Sequence, residues 1–170
     1  HGCNKAAEFI QFCDAFSIPV LSITNVNGFK NCMCSEKKLA KALARMTYAF
    51  SNATCAKVNM ITGEAYGSAY VFMNSKSIGA DLVYAWNDAK IGTMDSTMAA
   101  KIMYPDADAA EIKEKASEYE KLQSSATSAA ARGYVDRIIE PADSRKYLVA
   151  AFEMLYTKYV GEPEKKHGTK

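Results

Sequence analysis

The chain has 170 residues, 49% of them hydrophobic and 24% charged, with 9 Gly and 4 Pro. That composition excludes a disordered or collagen-like chain, and the length is that of one domain able to bury its own core. The formal charge of +2, without a basic cluster, gives no reason to expect nucleic acid. No apolar run reaches the ~20 residues of a membrane-spanning helix. The sequence opens on His1 rather than Met, with no signal peptide, so we expect a fragment or one half of something larger.

Residues 4–16 place Ala6, Phe9, Ile10, Cys13 and Phe16 at helical spacing, and Ile18-Pro19 breaks that helix. Val20 to Ile23 reads as a short buried strand, followed by turn residues from Asn25 to Gly28. Ser35 can cap the next helix, whose Leu39, Leu43, Met46 and Phe50 form one buried stripe; Lys37, Lys38 and Lys41 are its solvated face. Lys57 to Ile61 is a second strand, closed by Thr62-Gly63, and a run of small residues then leads from Ala65 into an apolar helix. Asp81 to Trp86 and Ala89 to Gly92 read as two more strands. Asp95 begins a short helix through Met103, and Asp108 with Glu111 caps a polar helix reaching about Leu122. Ser125 to Arg132 is another short helix, stopped by Gly133, and Tyr134 to Ile139 is the last strand. Pro141 and Asp143 open a final helix that buries Leu148, Ala151, Phe152, Leu155 and Tyr159, and 161–170 is a polar tail. Strands giving way repeatedly to helices make an α/β fold in a single domain over 1–160.

The titratable residues narrow the chemistry. Five scattered cysteines do not read as a disulfide framework, which points to a reducing, cytoplasmic setting. Cys32-Met33-Cys34 resembles half a metal site, but no second Cys pair or His follows at ligand spacing, so no metal is expected. The only histidines, His1 and His167, lie at the chain ends, so no histidine is expected to act as a catalytic base.

Gly67-Ser68-Ala69 is the most informative local feature. Small residues let the backbone approach a ligand, and the helix that follows presents free N–H groups suited to an oxyanion. The same residues would also let a helix pack tightly on a sheet, and spacing alone favours that simpler explanation.

A set of short motifs then occurs in order: Phe12 to Pro19, Asn27-Gly28-Phe29, Ala65-Tyr66-Gly67-Ser68-Ala69-Tyr70, Tyr84-Ala85-Trp86, Arg132 to Asp136 and Ile139 to Arg145. Together they resemble the C-terminal half of the carboxyltransferase (beta) subunit of biotin-dependent acyl-CoA carboxylases and related decarboxylases. The resemblance implies a crotonase-like ββα spiral. It implies transfer of a carboxyl group between carboxybiotin and a short-chain acyl-CoA such as acetyl-, propionyl- or methylmalonyl-CoA. Gly67 and the backbone amides of Ser68 and Ala69 would supply the oxyanion hole. Tyr66, Tyr70, Val71, Gly28 and Phe29 would line the substrate and biotin pocket, with packing the first role of the two tyrosines. Trp86 is expected in the core rather than on a ligand. The implied cofactor is biotin on a carrier protein, with acyl-CoA as substrate. The implied partners are an N-terminal carboxyltransferase half, the biotin carboxyl carrier protein, and biotin carboxylase or decarboxylase subunits in a homo-oligomer, with nothing inserted into a membrane.

The chain departs from the family pattern at several points. Asn27 stands in place of Pro, Lys30 to Ser35 replaces a Gly-rich stretch, Ser68 replaces a second Gly, and Asn87 replaces Pro. If Ser68 needs a positive φ, it carries a cost of about 1–2 kcal/mol. Two other readings follow: a non-catalytic assembly module of the same complex, motivated by the changed loop, and a crotonase-type hydratase or isomerase. The second would want paired carboxylates, and Glu64 stands alone beside the turn.

Overall fold

The alternation of Val20, Ser22 and Thr24 with Leu21, Ile23 and Asn25 builds strand β1, Val20–Val26, with the first set buried and the second exposed. The computed structural model describes residues 1–30 and 32–161, and the side chain of Cys34 is not described. The tail expected over 161–170 therefore lies outside the described residues, apart from Gly161.

Helix α1, Gly2–Ala15, precedes β1, and helix α2, Met33–Asn52, follows it. Strand β2 runs Lys57–Tyr66 and passes directly into helix α3, Gly67–Val71. Strands β3, Leu82–Trp86, and β4, Lys90–Gly92, come next. Helices α4, Ser96–Met103, α5, Ala109–Tyr119, and α6, Ala126–Ala131, lead to strand β5, Arg137–Ile139, and helix α7, Ser144–Met154. The sheet order is β1-β2-β3-β5, with β4 on the far part of β2, and every pairing is parallel. Parallel pairing carries the carboxyl ends of β1 and β2 to the same end of the sheet.

All five expected strands are present among the described residues, but β2 is longer than expected. It does not stop at Thr62-Gly63. The β1–β2 register steps from Thr24↔Ile61 to Val26↔Ala65, which leaves a bulge on β2. Asn25 fills the gap: its Oδ1 accepts the Glu64 N–H at 3.0 Å. The strand therefore bends and continues, pairing β3 before the bulge and β4 after it.

Apolar residues separate into three clusters around this sheet. Helices α1 and α2 close over Val20 and Cys55 through Ile10, Cys13, Leu43, Met46 and Phe50. Helix α6 covers Ile61, Val83 and Ile91. Helix α7 covers Val58, Met60 and Tyr84.

Several expectations are corrected. Helix α1 buries Ala7, Ile10 and Cys13, whereas Phe9 and Phe16 are exposed, because packing on α2 uses the narrower stripe. Ser35 is not a cap. Helix α2 starts three residues earlier, after Cys32, and the Ser35 hydroxyl lies 3.1 Å from Cys32 Sγ. Helix α5 ends at Tyr119 and passes into a single π turn, Glu120–Ser124, rather than reaching Leu122 as regular helix. Tyr134 to Asp136 precede β5 rather than join it, because the Asp136 carboxylate accepts the Val83 N–H at 2.8 Å where a ladder bond would run. Tyr159 is exposed, since α7 ends at Met154. Asp95 and Asp108 open their helices as expected, each accepting a backbone N–H of the first turn, and Ser125 caps α6 in the same way.

Candidate active site

The end of β2 determines the geometry of the following turn. Gly67 has φ +60, and a Cβ there would stand 3.1 Å from the Thr93 carbonyl oxygen. Left-handed and crowded at once, the position suits glycine alone. Ser68 does not share that conformation: outside glycine, positive φ among the described residues belongs to Ser17 and Asn74. Serine in place of a second glycine therefore carries no backbone strain. Ser68 and Ala69 are the second and third residues of α3, so their N–H groups have no partner within the helix. Ser68 is exposed and Ala69 is buried.

The flanking tyrosines act first as packing. Tyr70 belongs to the α6-side core, and burial, with a smaller contribution from Tyr134, pushes its hydroxyl up to about 12. Tyr66 is also buried, and burial followed by the nearby Asp95 carboxylate pushes it up to about 12. Both remain neutral phenols at physiological pH. Val71 is half-buried against the same core as Val26.

The loop carrying Gly28 and Phe29 leaves β1 just after Val26, which pairs with Ala65. Both loop residues are exposed and leave the end of the sheet at which β2 hands over to α3. Trp86 turns toward α7, where its Nε1–H donates to Ser144 Oγ at 2.9 Å, so it is a packing residue. Asn87, in the place of a proline, donates to Glu140 Oε1 at 2.9 Å.

Sequence reasoning missed two contributors to this region. One is the segment Thr93–Asp95, which places a carbonyl against Gly67 and a carboxylate near Tyr66. Only the register of β4 on β2, Gly92 opposite Tyr66, brings it there. The other is Asn74, left-handed at φ +56 just beyond α3. An Asn after an apolar helix is the available sign, since Asn tolerates that conformation better than most residues. Cys13 and Cys55 are buried, Cys3 and Cys32 are half-buried, and none of the four is in a disulfide. Among the described residues no three His, Cys, Asp or Glu side chains gather as a metal site.

A parallel sheet feeding helices, with an open helix start behind a left-handed glycine where its long strand ends, agrees with the crotonase-like fold that the resemblance implies. The chain belongs to the carboxyl transferase domain family, whose pattern matches residues 1–169. It is 45% identical to the methylmalonyl-CoA decarboxylase subunit alpha of Propionigenium modestum, over 97% of this chain and 33% of that protein. It is 40% identical to the methylmalonyl-CoA carboxyltransferase 12S subunit of Propionibacterium freudenreichii subsp. shermanii, over 97% and 33% respectively. A crystal structure of a transcarboxylase 12S hexamer with methylmalonyl-CoA and methylmalonic acid bound superposes with a TM-score of 0.90 at 40% identity, over 98% of this chain and 33% of that one. The geranyl-CoA carboxylase beta subunit of P. aeruginosa shares the fold, with a TM-score of 0.78 at 24% identity over 99% of this chain and 34% of its own. The chain spans about a third of the length of these relatives.

Proposed function

We propose that this chain is the biotin-side C-terminal domain of an acyl-CoA carboxyltransferase, moving a carboxyl group between carboxybiotin and a short-chain acyl-CoA. The observation that carries the reading is the Gly67–Ala69 turn, set at the carboxyl end of β2 in a chain that matches the family over 1–169. The turn fits the group it would receive: Gly67 leaves no side chain in the way, and Ser68 and Ala69 offer two unengaged amide donors. When bound, carboxybiotin would supply the carboxyl group and, through its decarboxylated form, a base for the acyl α-proton.

The residues of this chain then have defined tasks. The Ser68 and Ala69 N–H groups would hold the ureido oxygen of biotin, and a preorganised donor of that kind is worth about 3–4 kcal/mol in a dry site. Tyr66 and Tyr70 hold the turn against the sheet and keep water from its inner side. Val71 limits the size of the acyl chain, with discrimination of about 1–3 kcal/mol per methylene. Gly28 and Phe29 border the approach for biotin. No side-chain base is needed, consistent with histidines found only at positions 1 and 167.

The partners are an N-terminal carboxyltransferase half that holds the acyl-CoA, a biotin carboxyl carrier protein, and a biotin carboxylase or decarboxylase subunit. The assembly is a cytoplasmic homo-oligomer. Among the described residues no helix is long and apolar enough to cross a membrane. The test is radiolabelled carboxyl transfer from carboxybiotinyl carrier to acetyl- and propionyl-CoA by the subunit that carries this chain together with its N-terminal half. Saturable transfer to a short acyl-CoA is expected, and none to any of them would overturn the reading.

A further inference from the structure

Three polar side chains lie completely buried beneath α3, and none of them belongs to the oxyanion turn. Thr24 on β1, Asn59 on β2 and Asn74 beyond α3 are each 0% exposed. The Thr24 hydroxyl lies 2.8 Å from Asn59 Oδ1, to which it donates, and 3.5 Å from the Met73 carbonyl. Asn74 Nδ2 donates to the Val58 carbonyl at 3.4 Å, one residue from Asn59. Thr24 and Asn59 are thus bonded to each other, and Asn74 to the carbonyl of the residue before Asn59. Asn59 Nδ2, a donor, and Asn74 Oδ1, an acceptor, are buried and have no protein partner. Buried amide groups in that condition are expensive, and an unpaired donor and acceptor in one buried cluster are the usual partners of an internal water.

The same cluster meets the backbone where α3 ends. The Phe72 and Met73 N–H groups donate to the Ser68 and Tyr70 carbonyls, and Ser75 Oγ donates to the Val71 carbonyl. Asn74 then takes the left-handed conformation at φ +56. A strained residue persists where its surroundings over-determine it, and such residues gather at functional sites. Helix α3 is thus bounded by two left-handed residues. Gly67 is fixed by its fit against Thr93, and Asn74 by its hydrogen bond to the Val58 carbonyl on β2.

We propose that Thr24, Asn59 and Asn74 are positioning residues that fix the pitch of α3, and hence the aim of the Ser68 and Ala69 amides, with one water molecule closing the cluster between Asn59 Nδ2 and Asn74 Oδ1. The catalytic part of this inference rests on the carboxyltransferase reading above; the structural part does not.

The test uses the whole subunit that carries this chain. Thr24→Val is isosteric and removes the hydroxyl. Asn74→Gly keeps the positive φ and removes the amide. Either variant is expected to speed hydrogen exchange of the Phe72 and Met73 amides at least tenfold, while β3 and α2 stay protected. Carboxyl transfer should lose about tenfold in kcat with KM for acyl-CoA unchanged, and Thr24→Ser should restore both readouts. A high-resolution crystal structure should show the water between the two asparagines. Exchange that rises equally everywhere, exchange that does not change, an effect on KM alone, or no ordered water at that place would overturn the proposal. If the unmodified subunit transfers no carboxyl group, the functional reading fails, and the exchange result still decides the structural one.

Discussion

At Gly67 two independent constraints act on one atom position. A methyl group there must accept φ +60 and also a contact of 3.1 Å with the Thr93 carbonyl. The left-handed conformation alone costs about 1–2 kcal/mol for a non-glycine residue. Gly67→Ala should therefore lower the thermal midpoint, and carboxyl transfer should fall with it. Ala69→Pro separates the two effects. The Ala69 N–H makes no bond within α3, so losing it removes no helical hydrogen bond. Circular dichroism should stay close to that of the unmodified protein while transfer falls by about 10²–10³, the loss expected for one oxyanion donor. A variant that transfers normally would remove Ala69 from the site. Cys55 gives a different residue-scale prediction. Burial, then the Asp14 carboxylate, pushes its thiol from 9.0 up to about 11. The unfolded chain ionises first, so the stability held by the neutral thiol is complete below pH 9 and is lost as pH rises toward 11. Urea midpoints across that window should fall less steeply for Cys55→Ala than for the unmodified chain. Lys57, lowered chiefly by burial, acts in the opposite sense; the Cys55 thiolate raises it, so its opposing effect is larger in Cys55→Ala and adds to the expected difference.

Elements were legible where one face does all the packing. Helix α2 shows this: Leu43, Met46 and Phe50 are buried, and Lys37, Lys38 and Lys41 are exposed as the spacing implied. Legibility failed where a side chain replaces a backbone bond. Asn25 carries β2 across its bulge, and Asp136 takes a ladder position before β5, two events that local pattern does not encode. The Gly67–Ala69 turn was legible as a motif, but not the partners that hold it. Thr93 reaches it through strand register and Asn74 through a polar cluster built from three separate elements. A similar long-range tie fixes the segment that follows α7. Beyond α7, Lys158 Nζ reaches the Asp81 carboxylate at 2.8 Å and the Cys55 carbonyl at 3.1 Å. Asp81 also accepts the Lys57 N–H at 2.7 Å, so one carboxylate links the start of β2 to the C-terminal strap. Both charged side chains are mostly buried, which lifts the pair above the value of an exposed one. Lys158→Met, which keeps the apolar stem, should cost about 1–2 kcal/mol in chemical denaturation. A cost near zero would show that the strap is held by packing alone.

At the scale of the whole molecule, the apolar surface left exposed is organised rather than scattered. Phe9, Phe12 and Phe16 are 61%, 56% and 66% exposed; Phe9 and Phe12 lie on α1 away from the face that Ala7, Ile10 and Cys13 bury, and Phe16 caps the helix end beside them. The Phe12 and Phe16 rings already touch, with centroids 4.8 Å apart. A second row, Leu21 and Ile23, faces outward on β1, at register positions beside Val58 and Met60, which α7 covers. Single exposed apolar residues are ordinary, but a ridge of three aromatic rings is a patch that a monomer seldom leaves in water. The relatives are about three times as long as this chain, so in the proposed subunit the remaining two thirds are the natural cover for the α1 ridge. The chain expressed alone should then bind a hydrophobic dye and associate with rising concentration in sedimentation. Replacing Phe9, Phe12 and Phe16 together by Gln should suppress both effects and leave the thermal midpoint nearly unchanged, because none of the three rings belongs to the buried core. The same triple change in the full subunit should weaken its assembly. If the unmodified chain alone is monomeric and binds no dye, the ridge needs no partner, and the covering role assigned to the rest of the subunit falls.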